Sequence, residues 1–187
     1  AAGLVHRDIK PSNLMACHVG NQVDFVKVLD FGLVRRMKPA EQDPRVSDAD
    51  YVVGTPAFMA PELAKSPAEV DSRADVYAIG CVAYWLLTGE LVFPGKTPFE
   101  VLYGHVEEAP TPPSERARQP IPAALEALVL ECLEKDPEAR PRDAEDLGAR
   151  LGAVFGVDNL GPMATWVGVG ELVAATDLVF VGRCAAA

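Results

Sequence analysis

A carboxylate, an ammonium and a side-chain amide lie close together near the start of the chain, as Asp8, Lys10 and Asn13 of His6-Arg7-Asp8-Ile9-Lys10-Pro11-Ser12-Asn13. Together they suit phosphoryl transfer. Asp8 can accept or orient the proton of an attacking hydroxyl, Lys10 can neutralise charge on a phosphoryl group in flight, and Asn13 can offer a hard oxygen to Mg²⁺. Pro11 fixes its own φ and disfavours helix at Lys10, so these groups should project from a rigid loop.

The flanking elements must bring in a second metal ligand. Val26-Lys27-Val28-Leu29 reads as a short strand running into Asp30-Phe31-Gly32, where glycine permits a turn and Asp30 offers another hard oxygen. Leu14-Met15-Ala16-Cys17 reads as a strand too, and His18-Val19-Gly20-Asn21-Gln22 has the chemistry of a hairpin turn. A hairpin would set Asn13 and Asp30 at neighbouring ends of adjacent strands, so that residues 17 apart (30 minus 13) could share one cation.

These two motifs, followed by Gly54-Thr55-Pro56-Ala57-Phe58-Met59-Ala60-Pro61-Glu62, resemble the catalytic loop, metal-binding loop and activation-segment end of eukaryotic-type (Hanks-type) serine/threonine protein kinases, in their bacterial form. Lys10, two residues after Asp8, is the serine/threonine rather than the tyrosine pattern. The resemblance covers roughly residues 3 to 151. It implies Asp8, Lys10 and Thr55 as catalytic residues, Lys10, Asn13 and Asp30 as ATP-binding residues, and Asn13 and Asp30 as ligands of Mg²⁺ or Mn²⁺. The Thr55 hydroxyl would bond to Asp8 and Lys10. The polar stretch from Leu33 to Val53 would be an activation loop. A phosphate there would be gripped by Arg7, with Ser47 the first-choice acceptor and Tyr51 the second, unless Asp48 or Asp50 supplies part of the charge. Glu62 would pair with Arg140, and Asp75 would accept hydrogen bonds from the catalytic-loop backbone.

The helices that should carry these groups are legible from apolar spacing. Asp71-Ser72-Arg73-Ala74-Asp75 opens a helix running to about Leu87, ended by Thr88-Gly89 and apolar on nearly all sides. Thr97-Pro98 has the form of a cap followed by a first-turn proline and predicts a helix through Val106. His105 reads there as a surface or packing histidine. Ala109 to Pro122 is proline-rich and extended, Ala123 to Glu134 reads as an amphipathic helix, and a last helix should run from about Arg142 to Leu151. The expected fold is thus α+β and mainly α-helical: a kinase-like large lobe with a small β-hairpin over residues 1–151. The pattern does not extend to residues 152–187, a tail or linker of unknown structure that could equally begin another domain, and Gly168-Val169-Gly170 lacks the third glycine of a phosphate loop.

Composition narrows the partners. The chain has 187 residues, a formal net charge of -10 and a sequence pI of about 4.7, which argues against nucleic acid as a partner. Cys17, Cys81, Cys132 and Cys184 are scattered without ligand spacing, as expected of reduced thiols in a cytoplasmic protein. Charges at Asp158, Glu171, Asp177 and Arg183 interrupt the apolar C-terminal stretches, so no membrane span is expected in this chain, whatever anchor its parent carries elsewhere. No segment offers the Gly-rich loop, the phosphate-engaging Lys or the helix Glu of a kinase small lobe. The expectation is a fragment whose N-terminal lobe is missing, hardly active alone, from a kinase that transfers the ATP γ-phosphate to protein serine and threonine hydroxyls. A protein-binding scaffold without catalysis and a small-molecule phosphotransferase are the competing readings. Intact Asp8, Lys10, Asn13 and Asp30 oppose the first, and the long segment from Asp30 to Glu62 opposes the second.

Overall fold

In chain order the elements are strands β1 (Leu14–Val19) and β2 (Gln22–Val28), then helices α1 (Pro61–Lys65), α2 (Arg73–Thr88), α3 (Pro98–Glu107), α4 (Ala123–Cys132) and α5 (Ala144–Phe155). They belong to a computed structural model that describes residues 5–19, 22–29, 55–65 and 70–156. The expectations for Asp30, Phe31, Gly32, Ser47, Tyr51, Gly54 and Cys184 lie outside the described residues, as do those for the activation loop and for the tail from residue 157. Among the described residues, four 3₁₀ turns, Pro11–Asn13, Pro56–Phe58, Pro113–Glu115 and Pro137–Ala139, each begin with proline. Proline's preset φ and missing N–H suit the first position of such a turn, where the donor would go unused.

The hairpin forms as expected, with β2 longer than its apolar stretch. β1 and β2 pair antiparallel with Leu14 opposite Val28 and Val19 opposite Gln22, and an irregularity falls between Cys17 and Val19. This register fixes the functional end of the hairpin. The Leu29 N–H donates to the Asn13 carbonyl at 2.8 Å, so Asn13 sits across from the residue that precedes Asp30.

α2 is the axis of the helical body. Ten of its sixteen residues are buried, including Val76, Tyr77 and Tyr84, which are fully enclosed. At roughly 1.5–3 kcal/mol for each large apolar side chain removed from water, such a helix dominates the core. Gly80 lets α4 approach closely, since a Cβ there would lie 2.7 Å from the Cβ of Cys132. Gly89 ends the helix in the left-handed region at φ 75°, and its N–H donates to the Trp85 carbonyl. α3 starts as its sequence predicts, with the Thr97 hydroxyl accepting from the Glu100 N–H and Pro98 behind it.

Two boundaries differ from expectation. α4 stops at Cys132 rather than Glu134. α5 starts at Ala144, capped by Asp143, and runs to Phe155, so the domain boundary drawn at Leu151 falls inside a helix. Val154 and Phe155 explain the extra turn, because both pack against the core. α1 was not foreseen. Cys81 and Cys132 are buried thiols, and Cys17 is a partly exposed one. Among the described residues, no helix is long and apolar enough to cross a membrane.

Candidate active site

The loop from His6 to Lys10 is pinned from below by α2. Asp75, in the first turn of that helix, accepts from the His6 N–H at 2.7 Å and the Arg7 N–H at 2.9 Å. Its carboxylate is therefore an anchor for the loop and not a helix cap. Burial raises its pKa above the usual carboxylate range, against the two backbone N–H groups that favour the charge. Arg7 needs such an anchor, because at φ 65° it is the one non-glycine residue with positive φ among the described residues. Left-handed backbone at a residue with a Cβ costs on the order of 1–3 kcal/mol and persists where neighbours fix it.

His6 joins this loop to the hairpin. The Asp8 N–H donates to its Nδ1 at 3.3 Å, and its Nε2–H donates to the Leu29 carbonyl at 3.2 Å. One buried imidazole thus spaces Asp8 from the end of β2. The sequence offered His6 only as a member of a motif. Its role became visible when the residue preceding Asp30 proved to be its acceptor.

Among the described residues, the Asp8 carboxylate is bonded on one side. Lys10 Nζ lies 2.9 Å from Oδ2, and Asn13 Nδ2 donates to the same oxygen at 2.9 Å and to the Asp8 carbonyl at 2.8 Å. Among the described residues, every bond to the carboxylate falls on Oδ2. Oδ1 is left on a side chain that is 39% exposed. Both Asn13 N–H groups are turned to Asp8, which leaves Oδ1 of the amide as the atom that a hard cation would take. Asn13 is itself buried, held in the Pro11–Asn13 turn whose own backbone bond runs from Asn13 N–H to the Lys10 carbonyl.

A second polar centre joins α1 to the helical body. Arg140 is 4% exposed and uses all five N–H donors: two on the Glu62 carboxylate at 2.7 and 2.9 Å, and one each on the carbonyls of Arg73, Glu134 and Lys135. Its guanidinium also stacks 4.8 Å over the Tyr77 ring. Arg73 braces the same corner through Asp71 and Glu138.

Comparison with known proteins accords with this geometry. The family model described as protein kinase domain matches residues 1–148. The chain belongs to the protein kinase domain family. It is 41% identical over 154 residues to the serine/threonine-protein kinase pkn3 of Myxococcus xanthus, covering 82% of this chain and 28% of the relative. It is 42% identical over 149 residues to the serine/threonine-protein kinase PknB of Mycobacterium tuberculosis, covering 80% and 22%. A probable PknB of Corynebacterium glutamicum is 40% identical over 155 residues, covering 81% and 23%. The kinase chain therefore spans less than a third of the length of these relatives.

Of the kinase residues expected from sequence, the structure brings Asp8, Lys10 and Asn13 into one bonded cluster, ties Asp75 to its backbone and pairs Glu62 with Arg140. Asp30 and Ser47 lie outside the described residues. Arg7 is exposed at the loop surface. Thr55 differs: it is exposed at the start of the Pro56–Phe58 turn, and no hydrogen bond joins it to Asp8 or Lys10 among the described residues. Lys135 was missed altogether. Its ammonium caps the last turn of α3 through the Gly104 and His105 carbonyls at 3.1 and 2.7 Å and lies 4.2 Å from the Phe93 ring centre.

Proposed function

We propose that this chain is the catalytic and substrate-binding lobe of a serine/threonine protein kinase that transfers the ATP γ-phosphate to protein hydroxyls. The observation that carries this reading is the one-sided Asp8 carboxylate. Lys10 and Asn13 fix one oxygen, and among the described residues the other is left for an incoming hydroxyl. In the transfer, Asp8 orients the serine or threonine O–H and receives its proton as the new O–P bond forms and the bond to the leaving ADP breaks. Lys10 offsets charge on the phosphoryl oxygens. Mg²⁺ or Mn²⁺ would be held by Asn13 and Asp30 and would neutralise the nucleotide phosphates when bound. Catalysis of this kind depends on positioning and electrostatics, which is what the Asp75 and His6 anchors provide.

Thr55 would approach Asp8 and Lys10 when a substrate hydroxyl is admitted, and Arg7 would grip a phosphate on Ser47. The nucleotide also needs a small lobe, with its Gly-rich loop and phosphate-engaging Lys, joined ahead of residue 1. The test is transfer of labelled γ-phosphate from Mg-ATP to a generic protein, by the 187-residue chain and by the same chain with a kinase small lobe joined ahead of it. Phosphoserine and phosphothreonine made by the longer protein, with little or none from the short chain, support the proposal. No transfer by the longer protein, including after phosphorylation at Ser47, would move the reading to a protein-binding scaffold.

A further inference from the structure

His105 is a fully buried imidazole that none of the phosphoryl-transfer chemistry uses. It lies on α3, whose inner side packs against the Pro56–Phe58 turn that follows Thr55. Its Nδ1 is 2.8 Å from the Tyr77 hydroxyl, on the central helix. Phe93 meets the ring edge-on at a centroid distance of 5.0 Å. Lys135 fixes its backbone carbonyl. Nε2 is buried and has no hydrogen-bond partner among the described residues.

The pair can be protonated in two ways. If Nδ1 carried the proton and gave it to Tyr77, the tyrosine O–H and the Nε2 lone pair would both be buried without a partner. If the tyrosine donates to Nδ1, a single group is left over, the Nε2–H. The second arrangement leaves fewer buried polar groups unmade, and each such group is costly. Within the turn, the backbone of buried Ala57 favours charge on the ring, as a carbonyl facing it would, although no bond of normal geometry joins it to Nε2. Burial foremost, and the Lys135 ammonium second, hold the imidazole neutral down to about pH 4, so Nε2 carries its proton as a donor under ordinary conditions.

We propose that His105 is a positioning residue for the substrate-facing turn, its Nε2–H reserved for the Ala57 carbonyl and the bond completed when a docked protein substrate presses the turn onto α3. Tyr77 selects the tautomer that can do this, so the central helix that anchors the catalytic loop through Asp75 also sets the substrate platform through His105. Binding of substrate and closure of the bond then favour each other. The effect belongs to the protein substrate and not to the nucleotide. This inference rests on the proposed kinase reading.

Two experiments test it. Nitrogen-15 histidine spectra of the 187-residue chain should show His105 as the Nε2–H tautomer, and Tyr77→Phe should weaken that preference. In the protein with a small lobe joined ahead of residue 1, His105→Leu should raise KM for the protein substrate roughly fivefold, the factor of one neutral hydrogen bond. KM for ATP should stay unchanged. His105→Gln, which keeps an N–H donor near the Nε2 position, should restore most of the loss. An Nδ1–H tautomer would overturn the proposal. So would an unchanged substrate KM in His105→Leu, or a His105→Gln variant as impaired as His105→Leu at equal melting temperature. If the wild type transfers no phosphate, the kinase reading has failed, and the tautomer still decides this inference.

Discussion

Arg140 and Asp8 are both charged, both held by several hydrogen bonds, and they end up in opposite conditions. In the helical body, Arg140 has every donor engaged and almost no contact with water. At the loop edge, the bonds to the Asp8 carboxylate from the described residues gather on one oxygen, and the side chain is more than a third exposed. The difference separates structure from chemistry. A polar group whose bonding capacity is used up inside the protein holds elements together, whereas one fixed on a single side remains available to a reactant. Asp75 and His6 lie between the two conditions, tying the open loop to the closed body.

Breaking the closed centre should cost most. Arg140→Met leaves the Glu62 carboxylate and three backbone carbonyls without their partner, and should lower unfolding free energy by roughly 3–5 kcal/mol in urea titrations. Glu62→Gln in the same background should add much less than it does alone, because the two act as one network.

The next largest effect is a pH dependence inside the body. The folded His105 is pushed down to about 4 from an ordinary value of 6.5, by burial first and by the Lys135 ammonium second. As pH falls from 6.5 toward 4, the unfolded chain binds a proton that the folded chain does not. Stability present above 6.5 is therefore lost at about 1.4 kcal/mol per pH unit, or roughly 3 kcal/mol in all. His105→Gln should flatten this window. Asp71, Asp143 and Asp146 have lowered pKa values, from the Arg73 side chain, the Asp146 N–H and the Arg142 N–H respectively. Their losses begin only near 3.8 and below, so acid unfolding curves separate the two contributions.

Loosening the tie between the regions should cost less stability. Asp75→Asn removes one of two charge-assisted acceptors, and burial already works against the charge there, so a loss of about 1–2 kcal/mol is expected. Phosphoryl transfer should fall by a larger factor, since Arg7 is then released from its left-handed conformation. Parallel denaturation and transfer assays of this variant check both effects.

The sequence disclosed the open half of the molecule better than the closed half. Asp8, Lys10 and Asn13 lie within six residues of one another, and residue type plus spacing suffices to identify such a set. The hairpin turn between β1 and β2 likewise implied that Asn13 and Asp30 end at neighbouring strand ends, and Leu29, the residue before Asp30, does bond to Asn13. Glu62 and Arg140 are 78 residues apart, and only the family resemblance joined them. Nothing in an amphipathic pattern tells that His105 meets Tyr77 on another helix, or that Lys135 caps α3, because those contacts depend on how the helices cross. The extra turn of α5 escaped for the same reason, since Val154 and Phe155 earn no periodic signal beyond the two glycines at 148 and 152. His6 stood in plain sight within a motif, but its bond to Leu29 depends on the hairpin register.

The most direct test compares wild type with Asp8→Asn, each joined to a small lobe, for thermal stability and for γ-phosphate transfer from Mg-ATP to protein serine and threonine. A half-open group set apart for chemistry predicts that transfer is abolished while stability changes by no more than about 0.5 kcal/mol. Transfer that survives Asp8→Asn in a stably folded protein would contradict the account.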